Sequence, residues 1–283
     1  MIIYNSIINN LNYLYQARSS TSLGTILETK TKKMSNRRFV IGDVHGHYEA
    51  LSSLFEAIAP AQDDEVYFLG DLIDRGSQSA QVVKFVMDHK YNCLLGNHEI
   101  MLLNVFSQGK ISPQAFQAWL YNGGYATVIS YGRKIPQEHI DWLRSLPLYL
   151  DLGDFWLVHG GIHPQIPLEE QTAEQFCWIR DEFHAMAAPY FEDKLIITGH
   201  TITFTFPGVR AGKLAAGNGW LDIDTGVYHH NQGWLTALEL NESMVYQVNS
   251  FGRRFRKRPL TRAMKQINPS QIVAHQPKLL IGH

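Results

Sequence analysis

Only two cysteines, Cys93 and Cys177, occur in 283 residues. A disulfide framework is thereby excluded. Both thiols stand in apolar company, NCLLG and QFCWI, which reads as a reduced core and a cytoplasmic setting. No apolar run approaches the roughly 20 residues that a membrane helix needs. No GxSxG stretch occurs and neither cysteine has an arginine loop, so a covalent serine or cysteine nucleophile lacks its motif. No internal repeat of fixed period is present.

The net charge of −1 conceals an uneven distribution. Residues 251–283 hold eight basic residues and no acid, and residues 1–34 hold four basic residues and only Glu28. The middle keeps 25 acidic against 13 basic residues. An acidic body argues against a large nucleic-acid groove there and fits one that commits carboxylates to metal ions. The chain divides accordingly into residues 1–34, a catalytic body over 35–250 and a basic tail over 251–283. The opening lacks a basic-then-apolar signal with a small-residue cleavage site. It reads either as an upstream extension, with Met34 as the start, or as a poorly ordered arm. The aperiodic tail, with RRFRKRPLTR, reads as solvated. Nucleic acid, anionic lipid and acidic partners remain open for it.

From Phe39 the pattern becomes regular. Three short apolar strands (FVIGD, VYFLGD, YNCLLGNHE) alternate with helical periodicity at Leu51, Leu54, Phe55 and Ile58, then over 79–88, then in IMLLNVF. That βαβαβα order predicts parallel strands with crossover helices, and functional groups at the strands' carboxyl ends. Residues 104–150 read as a helical insertion walling the site. Strands return at DFWLVHGG, LIITGHT and WLDIDTG. GWLTALEL and MVYQVNS then suggest a second, more antiparallel sheet.

Five strand ends deliver polar side chains: GDVHGH, GDLIDRG, GNHE, HGG and GH. Their donors are Asp43, His45, Asp71, Asn97, His159 and His200. This mixed oxygen and imidazole set suits first-row divalent ions such as manganese, iron or zinc, and without cysteine it is no structural zinc cage. Six donors exceed what one catalytic ion with an open position uses. They suit two ions sharing a carboxylate.

GDVHG, GDLIDRG and GNHE, in that order and at strand ends, resemble the signature of the PPP-type metallophosphoesterases, the calcineurin-like superfamily that includes Ser/Thr protein phosphatases. The resemblance spans about residues 37–248. It implies an α/β fold: a four-layer β-sandwich of mixed sheets flanked by helices, containing a βαβαβ unit. It also implies two divalent ions, manganese first, whose bridging hydroxide attacks phosphorus in line. Asp43 and His45 then match first-metal ligands, Asp71 the bridge, and Asn97, His159 and His200 second-metal ligands. Asp74 and His98 match the pair that protonates the leaving group. Arg75, Arg180 and Asn97 match groups around the phosphate, and Glu99 supports the histidine loop. His47, His163, His229 and His230 read as non-ligands, and Trp119, Trp142, Trp178 and Trp220 as core or cleft-wall residues.

NGGYATVISYG, IDTG and WLTALEL resemble the bacterial branch. GHTITFTF and AGNGWLDIDTG stand where eukaryotic phosphatases carry a SAPNY-like segment, so eukaryotic partner and inhibitor grooves do not transfer. Three functions follow. The first is a Ser/Thr phosphoprotein phosphatase. The second is a dinucleoside polyphosphate hydrolase, with diadenosine tetraphosphate as substrate. The third is a non-catalytic scaffold for a phosphorylated partner.

Overall fold

The first strand shows how the sandwich is built. Strand β1 (Arg38–Ile41) is apolar on both faces. Phe39 and Ile41 pack with Leu51, Leu54, Val82 and Val86 of the flanking helices. Val40, pointing the other way, joins Leu157, Ile197 and Leu221 of a second sheet. The period-2 alternation of a strand thus places one residue set under helices and the other between sheets. Strand β6 (Leu195–Thr198) repeats the device in the second sheet. Ile196 faces Phe176, Phe183 and Trp220, and Ile197 faces the inter-sheet layer. Four layers result: helices, sheet, sheet, helices. Each fully buried Leu or Ile contributes on the order of 1.5–3 kcal/mol. A charge at Val40 or Ile197 would therefore break the inter-sheet layer first.

This computed structural model describes residues 36–106, 111–132, 134–251 and 254–273, and those from Arg37 onward belong to one compact unit. The two readings of residues 1–34 fall outside the described residues. The first sheet has the order β11-β10-β9-β1-β2-β3. Here β1, β2 (Glu65–Phe68) and β3 (Asn92–Cys93) run parallel, with Ile41 opposite Phe68 and Phe68 opposite Cys93. Helices α1 (Tyr48–Ile58) and α2 (Ser79–Asp88) make the expected crossovers. The second sheet has the order β12-β7-β8-β6-β5-β4, with β5 (Phe155–Val158), β6 and β8 (Trp220–Asp222) parallel and β4 (Tyr149–Asp151) antiparallel to β5.

Two expectations are corrected. GWLTALEL and MVYQVNS form β9 (Leu235–Glu239) and β10 (Met244–Asn249), but these extend the first sheet, β9 lying antiparallel beside β1. All five residues of β9 are buried, which an interior strand requires. The basic run is also not aperiodic throughout. Strand β11 (Arg254–Pro259) pairs antiparallel with β10, and β12 (Met264–Gln266) pairs with β7 (Leu214–Ala216). Arginine packing explains β11. Arg256 lies 3.6 Å over the Trp234 ring and donates from Nε to Gln247 Oε1. A lysine- and arginine-rich edge strand is also a poor template for pairing with another chain.

Among its described residues the 104–150 insertion is mostly helical, as expected, before it ends in β4. α3 (Asn97–Val105) leads to α4 (Pro113–Trp119), one π turn over Leu120–Gly124, α5 (Tyr125–Ser130) and α6 (Gln137–Arg144).

Candidate metal centre

Strands from both sheets end at one place. Gly42-Asp43 follows β1, Gly70-Asp71 follows β2, and Gly96-Asn97 follows β3; His159 follows β5 and Gly199-His200 follows β6. The chain crowds here. A Cβ on Gly96 would lie 2.3 Å from Asp71 Oδ1, and one on Gly199 would lie 2.1 Å from Asp43 Oδ1. Only glycine fits either position.

Five non-glycine residues of the site adopt left-handed backbone: His45, Asp71, Asp74, Arg75 and His200. Each costs on the order of 1 kcal/mol and persists only where neighbours fix it. Glu99 is one such neighbour. Its carboxylate accepts the backbone N–H of Asp71 and Leu72 at 2.8 Å, of Gly96 at 3.1 Å and of Ile73 at 3.3 Å. Burial, then the nearby Asp71 charge, pushes the Glu99 carboxyl up to about 8. The His98 charge, then the Asp71 N–H bond, pull the other way. Glu99 thus holds mainly the Asp71–Ile73 turn, and in the histidine loop, which the sequence suggested it supports, it bonds Gly96 N–H.

Two buried groups bring ligand atoms within 4.8 Å of one another: His45, Asp71 and His98, and Asp71, His159 and His200. Asp71 is common to both. The first group differs from the expected set. His98 stands in it, while Asp43 stands beside it, with Oδ2 3.9 Å from His45 Nε2. Asp43 instead accepts the His200 N–H at 3.1–3.2 Å.

Backbone carbonyls fix three imidazoles. His45 Nδ1 donates to Ile73 O at 2.9 Å, His159 Nδ1 to Leu69 O at 2.8 Å and His200 Nε2 to Trp178 O at 3.3 Å. The remaining nitrogens are then lone-pair atoms aimed inward. His159 Nε2 faces Asn97 Oδ1 at 3.0 Å and Asp71 Oδ1 at 3.4 Å, and His200 Nδ1 faces the same Asn97 Oδ1 at 3.0 Å. His45 Nε2 faces Asp71 Oδ2 at 3.6 Å and accepts a hydrogen bond from Arg75 Nη1 at 2.6 Å. Lone pairs converging in a dry site repel unless a cation lies among them.

Charge tells the same story. Burial lowers the pKa of His45, of His159 and of His200, leaving the imidazoles neutral as metal ligation requires. Burial, then Asp224 and Asp71, raises Asp43 well above the carboxylate range. Burial pushes Asp224 up to about 6. Burial would also raise Asp71, but His159, His98, His45 and His200 outweigh it and lower that carboxyl to the extent that they are protonated. Of those four only His98 is itself raised: burial opposes its charge, and Asp71 with Asp74 outweighs burial. The residues present therefore fit divalent cations, which would supply the positive charge that the neutral imidazoles lack.

The other predicted residues assemble around this centre. His98 Nδ1 donates to Asp74 Oδ2 at 2.7 Å. The Arg75 guanidinium lies 4.2 Å over the Tyr228 ring. Arg180 Nη1 donates to His200 O at 3.0 Å and to Thr201 Oγ1 at 2.9 Å, placing its exposed side chain on the rim. His47, His163, His229 and His230 stand outside both groups among the described residues. Sequence reasoning missed Tyr228, Asp224, Thr127 and a polar role for Trp119, whose Nε1 donates to Asp74. The one available signal was charge, in the paired aspartates of LDIDTG.

Comparison with known proteins agrees with this geometry. The family model described as calcineurin-like phosphoesterase matches residues 37–232, so the chain belongs to that family. Among curated relatives, the symmetrical bis(5'-nucleosyl)-tetraphosphatase of Actinobacillus pleuropneumoniae is 32% identical over 142 residues, 48% of each chain. That of Coxiella burnetii is also 32% identical, over 49% of this chain and 46% of its own. The chain spans about half the length of the curated relatives it matches. Among solved structures, a proposed diadenosine tetraphosphatase aligns with TM-score 0.57 at 19% identity, over 80% of this chain and 95% of its own. A cold-active protein-tyrosine phosphatase from Shewanella aligns with TM-score 0.52 at 19% identity, over 85% and 88%. These two likenesses concern the fold. Among the described residues no helix is long and apolar enough to cross a membrane.

Proposed function

We propose that this chain is a metal-dependent phosphoester hydrolase whose substrate is a dinucleoside polyphosphate, cleaved to nucleoside phosphates. The observation that carries the reaction class is the convergence of Asp71, Asn97, His159 and His200 lone pairs on one dry point. The substrate class draws its support from the curated tetraphosphatases. This favours the nucleotide reading over the phosphoprotein reading that the motifs first suggest.

Asp71, Asn97, His159 and His200 would hold one ion, and Asp71 with His45 and Asp43 the other, manganese being our first choice. Bound there, the ions supply Lewis acidity and an activated water. The rest belongs to the chain. Arg75 swings from His45 to the phosphate and presents a planar donor fork, and Arg180 closes on it from the rim. Asn97, beside them, orients a phosphate oxygen. Asp74 holds His98 Nδ1–H, leaving Nε2 to protonate the leaving oxygen.

One observation favours a second reading. A buried Asp–His pair suits a leaving alkoxide, which needs a proton. A departing nucleoside phosphate has a pKa near ~6 and needs one far less. A phosphoserine or phosphothreonine substrate would use the pair more fully. The test is kcat/KM of the manganese-loaded protein on diadenosine tetraphosphate and on a phosphoserine peptide, with a chelated control. Preference for the dinucleotide supports the proposal. Preference for the peptide replaces it with the phosphoprotein reading. No metal-dependent turnover on either, with both ions bound, overturns both in favour of a non-catalytic scaffold.

A further inference from the structure

Asp74 is bonded on both carboxylate oxygens by side chains from outside its own motif. Thr127 Oγ1 donates to Oδ1 at 2.6 Å. Trp119 Nε1 reaches Oδ1 at 3.0 Å and Oδ2 at 2.9 Å. His98 Nδ1 takes the remaining approach to Oδ2 at 2.7 Å. Asp74, Trp119, Thr127 and His98 are all buried.

Thr127 fixes backbone as well as side chain. The same Oγ1 accepts the Asp74 N–H at 2.9 Å, holding a residue whose φ is 73°. One turn away, Gly123 O accepts the N–H of Arg75, whose φ is 68°. Gly124 keys the indole in place, since a Cβ there would lie 2.4 Å from the Trp119 ring. The insertion therefore grips two of the three left-handed non-glycine residues of the GDLIDRG turn, Asp74 and Arg75.

Satisfying a buried carboxylate would need donors of any kind. These donors do more. They leave the carboxylate one rotamer and one open approach, and His98 occupies it. We propose that Trp119 and Thr127 are positioning residues for leaving-group protonation, fixing Asp74 so that His98 Nε2 faces the leaving oxygen. The inference rests on the assignment of His98 as proton donor. As the P–O bond breaks, its electron pair stays on the leaving oxygen. That oxygen takes the Nε2 proton, while Nδ1–H remains bonded to Asp74.

The experiment compares Thr127→Val, Trp119→Phe and Thr127→Ser with His98→Ala in the manganese-loaded full chain. Each is assayed on an alkyl phosphate, which needs a proton on leaving, and on p-nitrophenyl phosphate, which needs almost none. Bound metal and melting temperature are recorded for every variant. Thr127→Val should fold, because Ser79 Oγ also accepts the Asp74 N–H, at 3.1 Å. We expect Thr127→Val and Trp119→Phe to lose about tenfold more kcat on the alkyl phosphate than on p-nitrophenyl phosphate, part of the ~10²–10⁴ that general acids contribute. KM should hold on both, and Thr127→Ser should restore the alkyl rate.

An equal loss on both substrates for His98→Ala would remove the proton-donor reading itself. A selective loss for His98→Ala with equal or no losses for Thr127→Val and Trp119→Phe would overturn the positioning role alone. If Trp119→Phe does not fold, the Thr127→Val and Thr127→Ser pair decides.

Discussion

His159 Nε2 points at Asn97 Oδ1 from 3.0 Å while Nδ1 of the same ring is committed to the carbonyl of Leu69. Leu69 follows a strand of the first sheet and His159 a strand of the second. The bond that aims the ring therefore spans the sandwich. Sheet packing and assembly of the centre are one event, because the inward lone pair exists only when the two layers are in register.

Metal binding should then stabilise the fold. An ion at 100 times its dissociation constant adds about 2.7 kcal/mol, or roughly 5–10 °C in Tm for a chain of this size. Thermal denaturation with manganese and with chelator measures the shift. Asp71→Asn, which weakens the shared ligand of both groups, should remove most of it. A Tm indifferent to manganese, iron and zinc alike would contradict the assignment of the centre.

Glu99 offers a second test, away from the ions. Glutamine has one acceptor oxygen where Glu99 uses two, and its NH2 would meet a backbone N–H. Glu99→Gln should destabilise the protein by about 1–3 kcal/mol. It should also lower metal affinity about 10–100-fold, since supporting groups orient the ligands. Metal titration and chemical denaturation of the same variant give both numbers. Unchanged affinity together with lost stability would make Glu99 a purely structural residue.

The strand-end donors were legible because each depends on chemistry within a few residues: an apolar run, a glycine, then a polar side chain. What fixes them was not. The carbonyls that orient His45, His159 and His200 lie 28, 90 and 22 residues away. Any residue type supplies a carbonyl, so nothing in the sequence marks them. Trp119 read as core, and it is core, yet its indole N–H serves an aspartate 45 positions earlier. Strands β9 and β10 were visible as strands, but alternation does not say which sheet edge a strand will join. In β11 the arginines concealed a strand because their apolar stems and guanidiniums pack on Trp234.

The two arginines should separate in kinetics. Arg75 has aromatic and imidazole neighbours that it can leave for a phosphate. Arg180 is tied to the carbonyl of His200. Arg75→Ala should cost about 100-fold in kcat/KM, near 3 kcal/mol of charge-assisted hydrogen bonding. Arg180→Ala should cost about tenfold, mostly in KM. Inhibition by inorganic phosphate checks the same ranking without turnover, weakening more in Arg75→Ala. The opposite order would make Arg180 the principal phosphate residue.

Acid stability can be traced to a pair remote from the centre. Asp64 accepts the Arg37 backbone N–H at 2.8 Å, its Nε at 2.9 Å and its Nη2 at 2.6 Å, and the Ala61 N–H at 2.8 Å. Arg37 also donates to the carbonyls of Ile58 and Ala59, closing the end of α1 onto the start of β1. Burial would raise the Asp64 carboxyl, but the Arg37 and Ala61 hydrogen bonds outweigh it and lower it. A carboxyl lowered in the folded state stabilises fully above its unfolded value, near ~3.9. The contribution disappears as pH falls through the lower folded value. Asp64→Asn should therefore be less stable than the parent by about 1 kcal/mol at pH 7, discounted because Arg37 is partly exposed. The difference should shrink as pH drops below ~4. Paired denaturation curves in chelator, which hold the metal groups constant, isolate it. A gap that stays constant across that window would mean that the Asp64 charge contributes nothing, and that the asparagine acts through shape.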